Sequence, residues 1–267
     1  MTDPLFILDT THDDTPLNSD ELHTGWNLTL PDAVRRHAAQ AMRLGDGDAL
    51  QLSDGKGLRV RATLLDARQG VAQVVEVGRE PRPMTRLALI QALAKTGHDE
   101  QAIDMATQIG VDAVIPWQAE RSIAKWKEGR SDRKWRQTLA LATEQSRRAW
   151  MPELGACVSS KQVLAICRRA SVHGDLVIVL HQDATTTWGG IEDDVAALAQ
   201  RCLDDGRERT ISVVVGPEGG LAESEAAYCR SRGALLAGLG PRILRTETAG
   251  IAALSAILYE CGDLGGM

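Results

Sequence analysis

Three loops combine glycine with charged or hydroxyl side chains, and each loop directly follows an apolar run. The loops are HQDATTTWGG after residue 180, GPEGGLAESE after residue 215 and GPRILRTETAG after residue 239. Glycine allows the backbone to approach a ligand closely, and α/β sheets bind ligands beyond the carboxyl ends of their strands. Because the loops succeed one another along the chain, we expect them to form one shared pocket.

The acid Glu218 restricts what the second loop can hold. Like charges about 4 Å apart repel by about 4 kcal/mol even at an effective dielectric constant of ~20, which disfavours a phosphate. The chain also lacks the phosphate-binding patterns GxxxxGKS/T and GxGxxG after a strand. A ligand with a positive centre, such as the sulfonium of S-adenosylmethionine, meets no such repulsion. The alternative is that Glu218 points to solvent or caps the following helix.

The segment LGPRILRTETAG places charged residues around an apolar pair. Arg242 and Arg245 flank Ile243-Leu244, after a turn predicted at Gly240-Pro241 and before a helix predicted to begin at Thr246–Thr248. An arginine beside an acid is often a structural ion pair. Here the arginines lie between a turn and a helix start, where a substrate can reach them.

The elements that position these loops alternate between strand and helix after residue 85. Continuously apolar strands in such alternation predict an α/β fold with a parallel sheet covered on both faces. The predicted strands are 87–93, 111–115, 176–180, 211–215 and 234–239, and the predicted helices lie near 99–109, 131–149, 192–204, 222–232 and 247–261.

The first 78 residues follow a different pattern, with short strand-like runs separated by turns. Asp54-Gly55 and Gln69-Gly70 are typical of hairpin turns. Two prolines and a glycine in GREPRPM, residues 78–84, predict an interdomain linker. We therefore expect domains at 1–78 and 85–267, joined by a linker at 79–84.

Composition excludes several classes of protein. The chain of 267 residues is 43% hydrophobic and 25% charged, which is typical of a globular protein. Its amino terminus shows no signal-peptide pattern, and no apolar run approaches the ~18 residues of a membrane span. Five scattered cysteines without a CxxC pair predict reduced thiols and no metal site. We therefore expect a cytoplasmic protein.

The charge is unevenly distributed. The formal net charge is −6, yet residues 121–148 contain nine basic and three acidic side chains. A local basic segment can bind a polyanion in an otherwise acidic protein.

The loops GPEGGLAESE and LGPRILRTETA together resemble the paired signature of the ribosomal RNA small subunit methyltransferase E family. Further segments resemble the family in the same order: HAAQAMRLGDGDAL, DGKG, IGVDAVIPWQAERS and KWRQTLALATEQSRRAWMPEL. The resemblance covers almost the whole chain.

This resemblance implies a SPOUT-type α/β domain with a trefoil knot, preceded by a PUA-like, β-rich RNA-binding domain. It implies methylation of N3 of a specific uridine, U1498 of 16S rRNA in the small ribosomal subunit, with S-adenosylmethionine as donor. It also implies a homodimer with its active site near the subunit interface.

The chemistry of this implied reaction and the local basic charge lead to expected roles for individual residues. Arg245 is expected to stabilise the deprotonated uridine, and Glu247 is expected either to act as general base or to orient Arg245. Donor-binding residues are expected at His181, Gly216, Glu218, Gly219, Gly220, Leu239, Gly240, Ile243, Leu244, Thr246, Thr248 and Ala249. RNA contacts are expected at Arg35, Arg36, Arg43, Arg121, Lys125, Lys127, Arg133 and Arg148, and Arg121 or Arg148 can also assist Arg245.

Three other functions remain open from the sequence. A SPOUT ribose 2′-O-methyltransferase usually carries an asparagine-rich last motif, where this chain has RTETAG. A non-catalytic ribosome assembly factor would have no use for intact donor-loop motifs. A nucleotide-phosphate enzyme is disfavoured by the missing phosphate motifs and by Glu218.

Overall fold

The computed structural model of the protein describes residues 3–8 and 22–264. Of the amino-terminal segment 1–17, for which no signal peptide is predicted, residues 1–2 and 9–17 lie outside the described residues. The chain divides into two compact units, Met1–Arg82 with Ala140–Met151 and Pro83–Leu139 with Pro152–Met267. The domain boundaries expected from the sequence stay a prediction, and they differ from these units chiefly at Ala140–Met151.

The first unit is built on a five-stranded sheet. Its strands are β1 (Leu5–Ile7), β2 (Asn27–Thr29), β3 (Ala49–Ser53), β4 (Leu58–Asp66) and β5 (Val71–Arg79), in the order β1-β3-β4-β5-β2. The pairs β3/β4 and β4/β5 are antiparallel and are joined across Asp54-Gly55 and Gln69-Gly70, as predicted. Every second residue of β4 from Leu58 to Leu64 is buried, because successive side chains of a strand point to opposite faces.

A short helix, α1 (Asp32–Arg36), continues into a π-helical turn at His37–Ala41 in the same unit.

Residues Ala140–Met151 pack into this unit through specific hydrogen bonds. The backbone N–H of Ile7 donates to Glu144 Oε1 at 2.9 Å, and Ser53 Oγ donates to the carbonyl of Ala149 at 2.9 Å.

The second unit contains a seven-stranded sheet in which every neighbouring pair is parallel. Its strands are β6 (Thr85–Ala92), β7 (Ala113–Gln118), β8 (Glu153–Leu154), β9 (Val158–Ser159), β10 (Leu176–Leu180), β11 (Arg209–Val215) and β12 (Leu235–Ala237). The order is β12-β10-β11-β6-β7-β8, and β9 also pairs with β7. The predicted parallel sheet is confirmed.

Helices cover both faces of this sheet. The remaining helices are α2 (His98–Ile109), α3 (Arg130–Ser146), α4 (Ser160–His173), α5 (Glu192–Asp205), α6 (Glu223–Ser231) and α7 (Thr246–Glu260). Helices α2, α5 and α7 form one layer, in which α7 contacts both of the others and the strands β6 and β11. Helices α4 and α6 contact each other and form the second layer, on β10 and β12. Strand residues such as Ile90, Ile178 and Val214 are completely buried between the layers.

Helix α4 is absent from the sequence-based prediction, although its sequence carries a helix-start signal. The Gln162 carboxamide oxygen accepts a hydrogen bond from the Ser159 backbone N–H at 2.8 Å, which is half of a capping box. The buried positions Val163, Cys167 and Ala170 then recur at helical spacing.

All five cysteines are free thiols. Within residues 3–8 and 22–264, no helix combines the length and the apolar character needed to cross a membrane. The same residues contain no cluster of three or more histidine, cysteine or acidic side chains arranged to hold a metal ion.

Candidate active site

Three loops of the second unit enclose a cavity of about 850 Å³. They follow β10 at residues 180–183, β11 at residues 215–221 and β12 at residues 237–247, and Ala249, His98 and Arg121 complete the lining. The loops meet because β12, β10 and β11 are adjacent parallel strands, whose carboxyl ends share one edge of the sheet.

The cavity gathers nearly all residues for which donor binding is expected. Those that line it are His181, Gly216, Glu218, Gly219, Gly220, Leu239, Gly240, Ile243, Leu244, Thr246 and Ala249. Thr248 is exposed and does not belong to the lining; its backbone N–H donates to the carbonyl of Arg245 at 2.9 Å, within the first turn of α7. Contact between the lining residues and a donor stays a prediction.

Thr246 joins the second loop to the third. Its hydroxyl donates to the carbonyl of Gly216 at 2.8 Å and accepts from Gln91 Nε2 at 2.9 Å. Gln91 is fully buried at the end of the central strand β6. The Thr246 side chain is therefore engaged by the scaffold, and it fixes the start of α7 against the Gly216 turn.

Glu218 directs its carboxylate to the backbone of a neighbouring loop. Oε1 accepts a hydrogen bond from the Lys95 N–H at 2.7 Å, although the residue is exposed and lines the cavity. The carboxylate thus neither caps α6 nor extends freely into solvent. It anchors the glycine-rich turn to the segment that precedes α2.

Arg121 lies beside the same glycine-rich turn. Its Nη1 donates to the carbonyl of Gly219 at 3.0 Å, and its side chain lines the cavity. The residue expected to contact RNA phosphate therefore belongs to the cavity wall in this structure.

Glu225 is a buried acid that the sequence-based site prediction does not include. It connects α6 to the segment after β7 and to the start of α4. Its Oε1 accepts from the Glu120 N–H at 3.0 Å and from Ser160 Oγ at 2.6 Å, and its Oε2 accepts from the Ala222 N–H at 3.0 Å. The residue is 3% exposed. The sequence shows Glu225 as an acid in a first helical turn, which gives no sign of partners more than 60 residues away.

Arg245, Glu247 and His98 form a charged group on the cavity wall. The Arg245 side chain is 81% exposed and its Nη1 lies 3.9 Å from Glu247 Oε1. The Glu247 side chain is 9% exposed, and the same oxygen lies 3.3 Å from Nδ1 of His98. The sequence-based prediction does not include His98, because an isolated histidine at the start of a helix gives no local sign of a partner 149 positions away.

Asp99, next to His98, is another buried acid at the start of α2. Burial raises its pKa from 3.8 to about 6, and the negative charge of Glu100 adds to this effect. Hydrogen bonds from the backbone of Glu100, Ala94 and Asp99 itself act in the opposite direction.

The cavity is close to electrically balanced. Its charged lining consists of three arginines and three carboxylates: Arg121, Arg242, Arg245, Asp183, Glu218 and Glu247. Gly240 adopts a φ of +103°, a conformation in which a side chain would be strained. The third loop therefore requires glycine at the turn where its backbone lines the cavity.

The other basic residues expected to contact RNA do not line this cavity. Arg35 binds Asp32 and the carbonyl of Arg68, Arg36 binds the Asp32 carbonyl, and Arg133 binds the Gly129 carbonyl. Arg43 has a left-handed backbone with a φ of +57°. The basic residues that lie outside the cavity lining are Arg35, Arg36, Arg43, Lys125, Lys127, Arg133 and Arg148.

In comparisons with known proteins, two parts of the chain match models of RNA methyltransferases. An RNA methyltransferase domain model matches residues 80–258, and an RNA methyltransferase PUA domain model matches residues 30–75. A ribosomal RNA small subunit methyltransferase E from Mycobacterium bovis is 37% identical over 226 residues, which cover 83% of this chain and 82% of that protein. The chain belongs to the ribosomal RNA small subunit methyltransferase E family.

Two solved structures resemble the chain over nearly its whole length. A protein from Legionella pneumophila, described as a methyltransferase in complex with bound SAM, has a TM-score of 0.76 at 25% identity. A ribosomal RNA small subunit methyltransferase E from Neisseria gonorrhoeae, bound to S-adenosyl methionine, has a TM-score of 0.77 at 24% identity. Each likeness covers 97% of this chain and 98% of the other. The α/β fold and the amino-terminal PUA domain expected for the family are confirmed, whereas the trefoil knot stays a prediction.

Proposed function

We propose that the protein transfers a methyl group from S-adenosylmethionine to N3 of U1498 in the 16S rRNA of the small ribosomal subunit. The observation that carries the proposal is the convergence of three loops on one cavity with the exposed Arg245 in its wall. Membership of the family supports the choice of a methyl donor and an rRNA acceptor.

The cavity fits the donor in size and chemistry. Small-molecule sites usually measure roughly 300–1,000 Å³, and this one measures about 850 Å³. Glycines at 216, 219, 220 and 240 expose backbone in its wall, and carboxylates balance its arginines, so that a sulfonium meets no uncompensated positive charge. When bound there, S-adenosylmethionine supplies an already activated methyl group.

Arg245 supplies the electrostatic part of the reaction. Uridine N3 carries a proton, and removal of that proton spreads negative charge over the two flanking carbonyl oxygens. The guanidinium of Arg245 is exposed and lies 3.9 Å from Glu247 Oε1, which is longer than a hydrogen bond, so its donors can turn toward those oxygens. The protein must otherwise hold N3 in line with the methyl group.

Basic residues outside the cavity hold the RNA in this proposal. Lys125, Lys127 and Arg133 are exposed within the basic segment 121–148, and exposed Arg36 and Arg43 offer further positive charge in the PUA domain. The uridine must turn out of its stack to reach the cavity. The tryptophans of the basic segment have packing roles instead, since Trp135 is 1% exposed and Trp126 packs edge-on against it.

We also propose that the protein acts as a cytoplasmic homodimer whose knotted SPOUT domains meet near the active sites. The apolar side chain of Ile243, which is 81% exposed at the cavity wall, supports such an interface.

Transfer of a labelled methyl group from S-adenosylmethionine to small ribosomal subunits that lack the modification tests this function. We expect label on N3 of a single uridine, mapped by nucleoside mass spectrometry and primer extension. Label on a ribose oxygen would assign the protein to the 2′-O-methyltransferases instead. Absence of donor binding, measured by calorimetry, would contradict methyl transfer altogether.

A further inference from the structure

We infer that His98 accepts the proton from uridine N3 and that Glu247 is its positioning residue, an inference that rests on the proposed function. The group that accepts the proton must reach the substrate. Two side chains beside Arg245 are candidates for this role, Glu247 and His98. The geometry of the cavity wall decides between them.

Glu247 is poorly placed to take the proton itself. Its side chain is 9% exposed, and Oε1 lies between two side chains, 3.3 Å from His98 Nδ1 and 3.9 Å from Arg245 Nη1. A group that receives a proton from a substrate has to come within hydrogen-bond distance of it, directly or through one water. The buried carboxylate is instead placed to fix its two neighbours.

His98 has the opposite placement. Its side chain is 31% exposed and lines the cavity, whereas its Nδ1 atom is buried against Glu247. Nδ1 makes no aligned hydrogen bond within the described residues, so Glu247 Oε1 is the acceptor in reach once the ring turns slightly. The exposed edge of the ring is therefore the one that carries Nε2.

This arrangement selects the tautomer that the reaction needs. A carboxylate beside Nδ1 favours the imidazole with its proton on Nδ1 and a free electron pair on Nε2. The Glu247 carboxylate then stabilises the imidazolium that forms when Nε2 takes a proton. Arg245 remains available for the negative charge left on the base.

The resulting step balances in atoms and charge. The N3–H bond of uridine breaks and its proton passes to Nε2 of His98. The electron pair of N3 forms a bond to the methyl carbon, and the carbon–sulfur bond of the donor breaks with its electrons left on sulfur. S-adenosylhomocysteine departs as a neutral thioether, and the imidazolium returns its proton to solvent through the exposed ring edge.

Single-turnover methyl transfer with saturating donor tests the inference. We expect His98→Ala to lose roughly 100-fold or more in rate, as removal of a general base does, with the dissociation constant for S-adenosylmethionine changed by less than about threefold. Added imidazole should restore part of the rate in His98→Ala and have no effect on Arg245→Ala. His173→Ala, which removes an exposed histidine at the end of α4, is the matched control and should keep the wild-type rate.

His98→Lys separates proton transfer from simple positive charge. A lysine places a positive charge near the uridine but is a poor proton acceptor at neutral pH, so we expect it to be as slow as His98→Ala. A His98→Lys variant at the wild-type rate, or a His98→Ala variant within threefold of it, would overturn the inference. Failure of imidazole to rescue a folded, donor-binding His98→Ala would overturn it as well.

A second readout does not depend on turnover. Long-range ¹H–¹⁵N spectra of the histidine rings should show His98 as the Nδ1–H tautomer in the wild-type protein and a changed tautomer balance in Glu247→Gln. If His98 is mainly Nε2–H in the wild-type protein, the assigned geometry is wrong. If the wild-type protein makes no N3-methyluridine, the proposed function fails first and the inference falls with it.

Discussion

The two glycine-rich loops that line the cavity use their charged residues in different ways. In GPEGGLAESE, Glu218 and Glu225 accept hydrogen bonds from backbone N–H groups of segments distant in sequence. In GPRILRTETAG, Arg242 and Arg245 are exposed and line the cavity. The acids of the first loop therefore stabilise the conformation of that loop, whereas the arginines of the second loop face the cavity, where a ligand can contact them.

This difference shows why residue type alone is a poor guide to a binding loop. A carboxylate among glycines suggests an electrostatic role toward the ligand, but Glu218 makes a backbone contact that organises the turn. Substitution of the arginines in GPRILRTETAG should therefore lower catalysis, whereas substitution of a buried acid in GPEGGLAESE should lower stability.

Arg245→Ala should have the largest effect and should leave stability unchanged. Loss of a donor aimed at a developing oxyanion typically costs about 100- to 1,000-fold in rate, or roughly 3–4 kcal/mol in activation free energy. The side chain is 81% exposed, so the melting temperature should match that of the wild-type protein. Arg230→Ala on the exposed surface of α6 is the control, and a rate within about threefold of wild type for Arg245→Ala would contradict the assignment.

Glu225→Gln should instead lower the free energy of unfolding. The carboxamide would direct an N–H group at one of the donors that the carboxylate now accepts from, Glu120 N–H, Ser160 Oγ or Ala222 N–H. An unsatisfied buried donor costs about 1–3 kcal/mol, and we expect about 2–3 kcal/mol in urea unfolding because the site is 3% exposed. Glu223→Gln in the same helical turn is exposed and should change stability by less than about 0.5 kcal/mol. Equal losses in the two variants would show that the Glu225 network does not stabilise the fold.

Asp99→Asn tests a buried acid near the cavity whose charge is destabilised by burial, because the effect of burial on its pKa outweighs that of its backbone hydrogen bonds. Its folded-state pKa of about 6 lies above the unfolded value of 3.8, so the native state binds more protons between these values. Stability therefore falls as the pH rises from about 4 to about 6. We expect Asp99→Asn to be more stable than wild type by about 1–2 kcal/mol at pH 7.5 and to converge with it near pH 4. A constant difference across this range would mean that burial of the charge is not the cause.

Local patterns were sufficient to predict the strands that carry the site. Apolar runs such as LVIVL at 176–180 coincide with β10, and the loop residues that follow three such runs line one cavity as expected. This succeeds because parallel strands buried on both faces are apolar throughout, and because ligand loops must follow their carboxyl ends.

The contacts that distinguish the two loops could not be predicted in this way. Glu120 lies 105 positions from Glu225, and Lys95 lies 123 positions from Glu218. His98 lies 149 positions from Glu247. Glu225 and Glu247 each occupy a first helical turn, where an acid is also favoured by the helix dipole alone. Only the packing of the sheet brings Gln91 under Thr246 and His98 beside Glu247.

The most direct test compares single-turnover methyl transfer by Arg245→Ala and Glu218→Gln, each corrected for the folded fraction. Glu218→Gln keeps an oxygen that can accept from the Lys95 N–H, so we expect it to remain within about threefold of the wild-type rate. Arg245→Ala should be slower by about 100-fold or more at unchanged melting temperature. If Glu218→Gln loses as much activity as Arg245→Ala while it stays folded, the first loop acts on the reacting groups and the division between the two loops is wrong.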